Sequence, residues 1–532
     1  MSERSGVPHA DATSRLSRRG LLSGLAAGSA LATLPASEAV AAPARHHKPN
    51  HRPHHVRVPH DQALHALRRL GYGPSPADLK AVRATGPSKW LNQQLQPGVD
   101  RCAAQLELIF PLLTQGPRAA ELEFDGDAWA AVEAYEWATL LRTMYTSRPV
   151  EARLTEVWLD HFNVSTAAPK PFLPWTRFEY DYRVVRPRAS GPFAELLKAV
   201  LVSPAMLGYL DQWLSTKELP GENLARESLE LHTVGVGHFN EHDVKQYAKL
   251  LTGLTVDVQT LQFEYDPSRH HTGHLEILGF KTSNRSRHGL ATVHHFAEYL
   301  AHHPRTAQNV ARRLLVHYVE DHPSRHLVDR VARHYLKHGT DIGETLKFIV
   351  EQDEFFASRG RKARRPSEWF AAAVRGLGWT LAARPSVRHL SHVSSWKPYL
   401  GQLRAAGHAP GEWLAPNGYP QVNAAWTNSN TMLHTWGLLA TTVDPTQRGP
   451  FVKSAGPAAA AWSPGATIDE IIKRAAFQIT GQEFDKAHRH AIAALIKRHP
   501  SDVAGASWRT GAAAAHELIH FAICASEYME VR

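Results

Sequence analysis

Residues 203–257 read SPAMLGYLDQWLSTKELPGENLARESLELHTVGVGHFNEHDVKQYAKLLTGLTVD, and their spacing decides the fold class. Apolar residues recur at helical intervals from Asn223 to Val234 and again from His242 to Leu254, and Gly235 stands where a left-handed helix cap belongs. At 100° per residue Asn223, Arg226, Glu227 and Glu230 share about 100° of one helix face, while Leu224, Ser228 and Leu231 form the packed side. His232 falls roughly 160° from Glu230, so the two do not share a ligand on a regular helix.

The same periodicity extends outward. Leu64, Leu67 and Leu70 mark a first helix, stopped by Gly71-Tyr72-Gly73-Pro74. Ser75 then caps a second, with Pro76 at its first position and Asp78 in its first turn. Helical spacing continues at 129–145, 151–162, 193–210, 294–300, 306–319 and 327–336. Strand-like runs are confined to a short pair near 261–265 and 275–280. The expected class is mainly α, a large multi-helix globular domain with at most a short β-pair.

Length and composition set bounds on function. The 532 residues hold 60 Lys+Arg, 50 Asp+Glu, 34 His and 2 Cys, with 43% hydrophobic residues, enough for a sizeable core. Cys102 and Cys524 are too few for a disulfide scaffold or a thiolate zinc site. The formal charge of +10 is dispersed, so nucleic acid is not an expected partner. No G-x-S-x-G elbow, P-loop, dinucleotide fingerprint or C-x-x-C-H haem signature occurs, which removes the usual serine hydrolases, nucleotide enzymes and c-type cytochromes.

Residues 1–42 read as an address. Arg18-Arg19 precedes an Ala/Gly-rich apolar run from Leu21 to Leu34, and Ala39-Val40-Ala41 follows as a small-x-small cleavage site. This order fits a twin-arginine export signal and a periplasmic or extracellular protein, with no membrane span after cleavage. Residues 43–58 continue as a His/Pro-rich flexible arm. The folded part then divides at the basic run RGRKARR (Arg359 to Arg365), read as a solvated hinge between a main helical region, 59–360, and a C-terminal helical region packed on it, 361–532. The Ala/Pro-rich stretch 455–465 reads as a linker or surface loop.

His516-Glu517-Leu518-Ile519-His520 spells a zincin-like H-E-x-x-H, but no third ligand follows at the required spacing, so the pair reads as an ordinary helix face.

Residues 203–257 strongly resemble the bacterial domain of unknown function 1800 family, above all through E-N-x-A-R-E-x-x-E-L-H-T (Glu222 to Thr233). Further matches are HALRRLGYGPSP (65–76), WLDHFNVS (158–165), HHTGHLEILG (270–279), HPRTAQNVARRLLVHYVED (303–321), RPSEWFAAAVRGLG (365–378) and the closing ASEYMEVR. The resemblance covers nearly everything after the arm and implies an exported, mostly helical protein without an assigned activity. At position 271 this chain has His where the family tends to have Asp, which removes a carboxylate from any metal site there.

Two functional readings stay open. In the first, the chain is an extracytoplasmic hydrolase acting on an envelope or external polymer. Glu227, Glu230 and Arg226 line its cleft, and His161, His270 and Asn223 are candidate ligands for a divalent metal. In the second, it is a non-catalytic protein that binds an envelope polymer or an exported partner, and the polar stripe is structural, held by an Arg226–Glu230 ion pair. The loop PGEWLAPNGYPQVNAAW (410–426) offers an aromatic platform in either case, or a packed loop.

Overall fold

Capping chemistry sets where the helices begin. In the computed structural model, which describes residues 61–381, 396–444, 451–452, 456–510 and 515–528, Asp61 accepts from the Leu64 amide at 3.1 Å and starts Gln62–Leu70. Ser75 accepts from Asp78 and Pro76 occupies the first helical position, as expected. Asn240 with Asp243, and Thr467 with Glu470, form reciprocal capping boxes at the starts of Glu241–Leu251 and Ile468–Thr480. The leader, the arm and the closing ASEYMEVR beyond Tyr528 lie outside the described residues.

Ala128–Tyr145 is the helix around which the others pack. Its sequence, AWAAVEAYEWATLLRTMY, is apolar on nearly every side, and the helix is correspondingly buried all round. Pro366–Leu377 and Leu173–Glu179 pack on it. Pro304–Tyr318 pairs with Arg325–Lys337, Phe193–Leu201 with Leu290–Ala301, and Lys397–Ala405 with Ser429–Val443. Val56–Arg532 is one compact unit, and helices from both sides of residue 361 supply its core. No helix among the described residues is long and apolar enough to cross a membrane.

The fold is mainly α, with three small antiparallel pairs among the described residues. The two expected strand runs do not pair with each other. Leu254–Asp257 pairs with Gln262–Tyr265, and Leu275–Ile277 with Phe280–Thr282, because each run has a turn and a partner beside it in sequence. The third pair joins Thr380–Leu381 to Phe451–Val452. The expected single helix 193–210 is two, Phe193–Leu201 and Pro204–Tyr209, since Pro204 can start a helix but not continue one. The Ala/Pro stretch also departs from its reading. Gly456–Ala460 is a helix packed on Ile468–Thr480 and Ala515–Tyr528, where small side chains permit close approach.

The basic run is not solvated along its whole length. Arg365 is 3% exposed and donates to Asp160 Oδ2 at 2.5 Å, to Glu368 Oε1 at 2.6 Å and to Glu156. Arg153 meets Glu368 at 2.7 Å, Tyr72 donates to Glu156 at 2.9 Å, and Gln421 donates to Asp160 at 2.9 Å. Lys362 is equally committed, to Asp321. Burial works against the Arg365 charge, but Asp160, Glu156 and Glu368 together hold its pKa well above the ordinary value. Burial likewise opposes the Glu368 charge, yet Arg153 and Arg365 keep its carboxyl well below the usual range.

Replacing Arg365 by Met removes the cation shared by Asp160, Glu156 and Glu368, with an expected loss of about 3–5 kcal/mol in guanidinium-chloride unfolding. Arg361→Met, which removes an exposed pair with Glu320, should cost no more than about 1 kcal/mol. Equal effects for the two variants would contradict a clasp centred on Arg365.

Candidate active site on the Asn223–His232 helix

Asn223–Glu227 begins as an α-helix and widens into a π-helical turn over Ser228–His232. Leu224, Ala225, Ser228, Leu229 and His232 are buried, and Ser228 Oγ lies 3.3 Å from Tyr247 Oη. Leu231, expected on the packed side, is only half-buried, and Leu229 packs instead. A π turn takes more residues per revolution, so the buried register slips within it. Gly235 has the anticipated positive φ of 88°, and its amide closes the end on Leu229 O at 3.0 Å.

Glu227 and Glu230 remain on the other side, both partly exposed. Neither makes a hydrogen bond or salt bridge with the described residues, unlike the carboxylates of the Arg365 clasp. Burial, and after it the charge of Glu230, raises the Glu227 pKa above the usual carboxylate value, with Arg226 offsetting part of the rise. The expected Arg226–Glu230 ion pair does not form. Arg226 instead donates to Glu241 at 2.7 Å and to Glu222 at 3.1 Å, because the capped start of Glu241–Leu251 brings a second carboxylate within its reach. Arg226 therefore acts on Glu227 only through its field. Asn223 is exposed.

Tyr209 was not visible as a site residue. It is 7% exposed, donates to Leu414 O at 2.5 Å, and has its phenol pushed up to about 12 by burial and then by the Glu227 charge. Tyr209 thus holds the 410–426 loop, through a contact that no local pattern in the chain announces. Asn163 holds the same loop, donating to Trp413 O and Ala415 O at 2.8 Å each. Most of the loop is packed: Tyr419 and Trp426 are buried around His408. Gly418 (φ 69°) lies so close to Asp160 that a Cβ would sit 1.9 Å from its carbonyl oxygen. Trp413 is half-buried, and Leu414 is 63% exposed.

The two candidate histidine ligands have other partners. His161 places Nε2 2.9 Å from His232 O and accepts from Arg313 Nε at Nδ1, 3.2 Å away. His270 faces Thr252 O at 2.7 Å and Asn284 Oδ1 at 3.1 Å. With both nitrogens engaged, neither ring offers a lone pair without losing a buried hydrogen bond. Among the described residues no group of three His, Cys, Asp or Glu could hold a metal. These residues do not fit a divalent metal centre, and no chemical step is built on one. His516 packs on Trp508, while His520 accepts from the Ala458 amide at 3.2 Å. Cys102 and Cys524 are both buried and not bonded to each other.

Residues 65–529 match the family described as Protein of unknown function (DUF1800). No curated protein and no solved structure matches the chain.

Burial depresses the pKa of His161 and His232 beside this helix, and of His65 and His520 elsewhere, to about 3 for the last three. In the unfolded chain these groups take up protons below about 6.5, while the folded protein excludes them. The stabilisation is complete above pH 6.5 and is lost as pH falls toward 3, by up to about 1.4 kcal/mol per pH unit for each histidine. Calorimetry at constant ionic strength should show Tm dropping steadily from pH 7 to 5. A flat Tm over that range would mean that these rings are protonated in the native state.

Proposed function

The chain belongs to the DUF1800 family, and we propose that it is an exported acid–base hydrolase of envelope or external polymers, working through Glu227 and Glu230. One observation carries this reading: two carboxylates one helical turn apart, free of ion pairs among the described residues, one of them with a raised pKa. Such an arrangement has no structural task comparable to that of Asp160, Glu156 and Glu368, and a carboxyl whose pKa burial raises suits a general acid. Glu227, protonated, donates to the leaving group. Glu230 accepts a proton from the attacking water, whose oxygen bonds to the electrophilic carbon as the leaving bond breaks. Solvent exchange then restores both groups. Trp413 and Leu414, at the far end of the Tyr209 contact, supply an apolar rim for a polymer chain. Arg226, committed to Glu222 and Glu241, is a positioning residue that moderates the Glu227 pKa.

The exposed Leu414 also favours a second reading, in which the same rim holds a polymer without cleaving it. Isolated cell-wall and exopolysaccharide fractions, followed by release of reducing ends and of free amino groups, separate the two. Glu227→Gln should lower turnover by about 100-fold or more while leaving unfolding unchanged. Polymer that co-sediments with the protein but is never cleaved would replace hydrolysis with binding. Export rests on Arg18-Arg19 and the apolar run behind them. An Arg18→Lys/Arg19→Lys double variant should stay in the cytoplasm, and normal export of it would exclude the twin-arginine route.

A further inference from the structure

A separate cavity lies in the core between Ala128–Tyr145, Pro149–His161, the segment 173–188 and residues 408–419, with ≈ 60 Å³ open to the centres of water-sized molecules. At about 10–15 Å³ for each water, that is space for several waters or one small organic molecule. Three guanidiniums line it: Arg142, Arg177 and Arg186.

Their hydrogen bonding is incomplete. Arg142 is 5% exposed and Arg177 2% exposed, yet Nε and Nη2 of the first and Nε and Nη1 of the second have no partner among the described residues. Arg186 donates through Nη2 to Asp181 Oδ1 at 2.7 Å, but its Nε is also unpartnered. The flat faces are supported where the edges are not. Arg142 lies 4.4 Å from the Tyr182 ring, Arg177 5.0 Å from Tyr135 and 5.3 Å from Tyr180, and Arg186 5.3 Å from Tyr182. Aromatic stacking thus holds the cations in place with donor edges unspent.

The local charge is unbalanced. Asp181, fully buried, is the carboxylate paired with this trio. The other two acidic residues of the wall, Glu156 and Asp160, are held by Arg365. Asp100 and Glu151 act on the trio only at a distance, and their hydrogen bonds go to Thr146, Ser147 and Arg148. A buried positive excess with unsatisfied donors is costly unless an anion completes it.

The local backbone is unusual as well. Tyr180–Val185 is π-helical and carries Asp181, with Arg177 just before it and Arg186 just after. Single π turns inside helices often mark functional sites. Opposite, Gly411 (φ 80°) comes so near that a Cβ would lie 3.0 Å from Tyr135 and 3.5 Å from Arg177 Nε.

We propose that this cavity binds a small organic carboxylate, its two oxygens taken by the free edges of Arg142 and Arg177 and its apolar body resting against Leu140, Leu159 and the tyrosine rings. The planar fork of a guanidinium suits a carboxylate, and the aliphatic and aromatic walls favour an organic anion over inorganic phosphate. This site is independent of Glu227 and Glu230, so hydrolysis can fail without affecting it.

The test is calorimetric titration of the purified full chain with benzoate, succinate, benzamide and inorganic phosphate, alongside thermal shift. At least one of the two carboxylates should bind saturably and raise Tm with concentration. Benzamide, the neutral counterpart of benzoate, should not. Arg177→Gln should weaken carboxylate binding by at least about 10-fold. The benzoate–benzamide comparison on the wild-type chain decides the matter even where that variant does not fold. Binding of phosphate alone would replace the organic carboxylate with an inorganic oxyanion. Equal binding of benzoate and benzamide, or no binding of any probe, would overturn the proposal and leave a water-filled structural cavity.

Discussion

One guanidinium organises the interior. Arg365 is shared by Asp160, Glu156 and Glu368, with Arg153 as a second cation against Glu368. A buried carboxylate without a partner is so unfavourable that the helices bearing these acids must dock with Arg365 in reach. The Pro149–His161 helix supplies Glu156 and Asp160, Pro366–Leu377 supplies Glu368, and Gln421 ties in the 410–426 loop. Hydrophobic burial favours collapse of all these elements, but non-directionally. The ion pairs select which faces meet.

Both candidate sites lie beside this clasp. From the end of the same helix, His161 reaches His232 and so touches the Asn223–His232 motif, while Asn163 grips the loop that Tyr209 also holds. On the other side Glu156, Asp160 and Asn163 form part of the wall of the arginine cavity. The stretch WLDHFNVS therefore connects the clasp, the carboxylate pair and the cavity. Both proposals rest on the same contrast. Where this protein uses buried charge for architecture, it pairs it closely, as at Arg365. Glu227, Glu230, Arg142 and Arg177 depart from that habit, the first two as acids without cations and the last two as cations with unspent donors.

Much of the fold was legible because its signals are local. Ser75 caps a helix through its own neighbour Asp78, and Gly235 ends one through a conformation other residues avoid. The polar stripe at Asn223, Arg226, Glu227 and Glu230 followed from helical geometry alone. What escaped were choices among distant partners. Arg226 pairs with Glu241 rather than Glu230, His161 and His270 spend their nitrogens inside the core, and Arg365 is buried although the run that it ends reads as solvated by composition.

The sequence by itself determined a mainly α chain, the capped start at Ser75 and the stop at Gly235, and the motif that places it in its family, since these depend on residues near one another in the chain. Tertiary structure alone decided which charges are satisfied. An arginine in 359–365 and one at 142 look alike on paper, but the first meets three carboxylates and the second a tyrosine face and an open cavity. That difference arises from groups 200 or so residues apart brought into a medium without water, where whether a charge is matched governs both stability and reactivity.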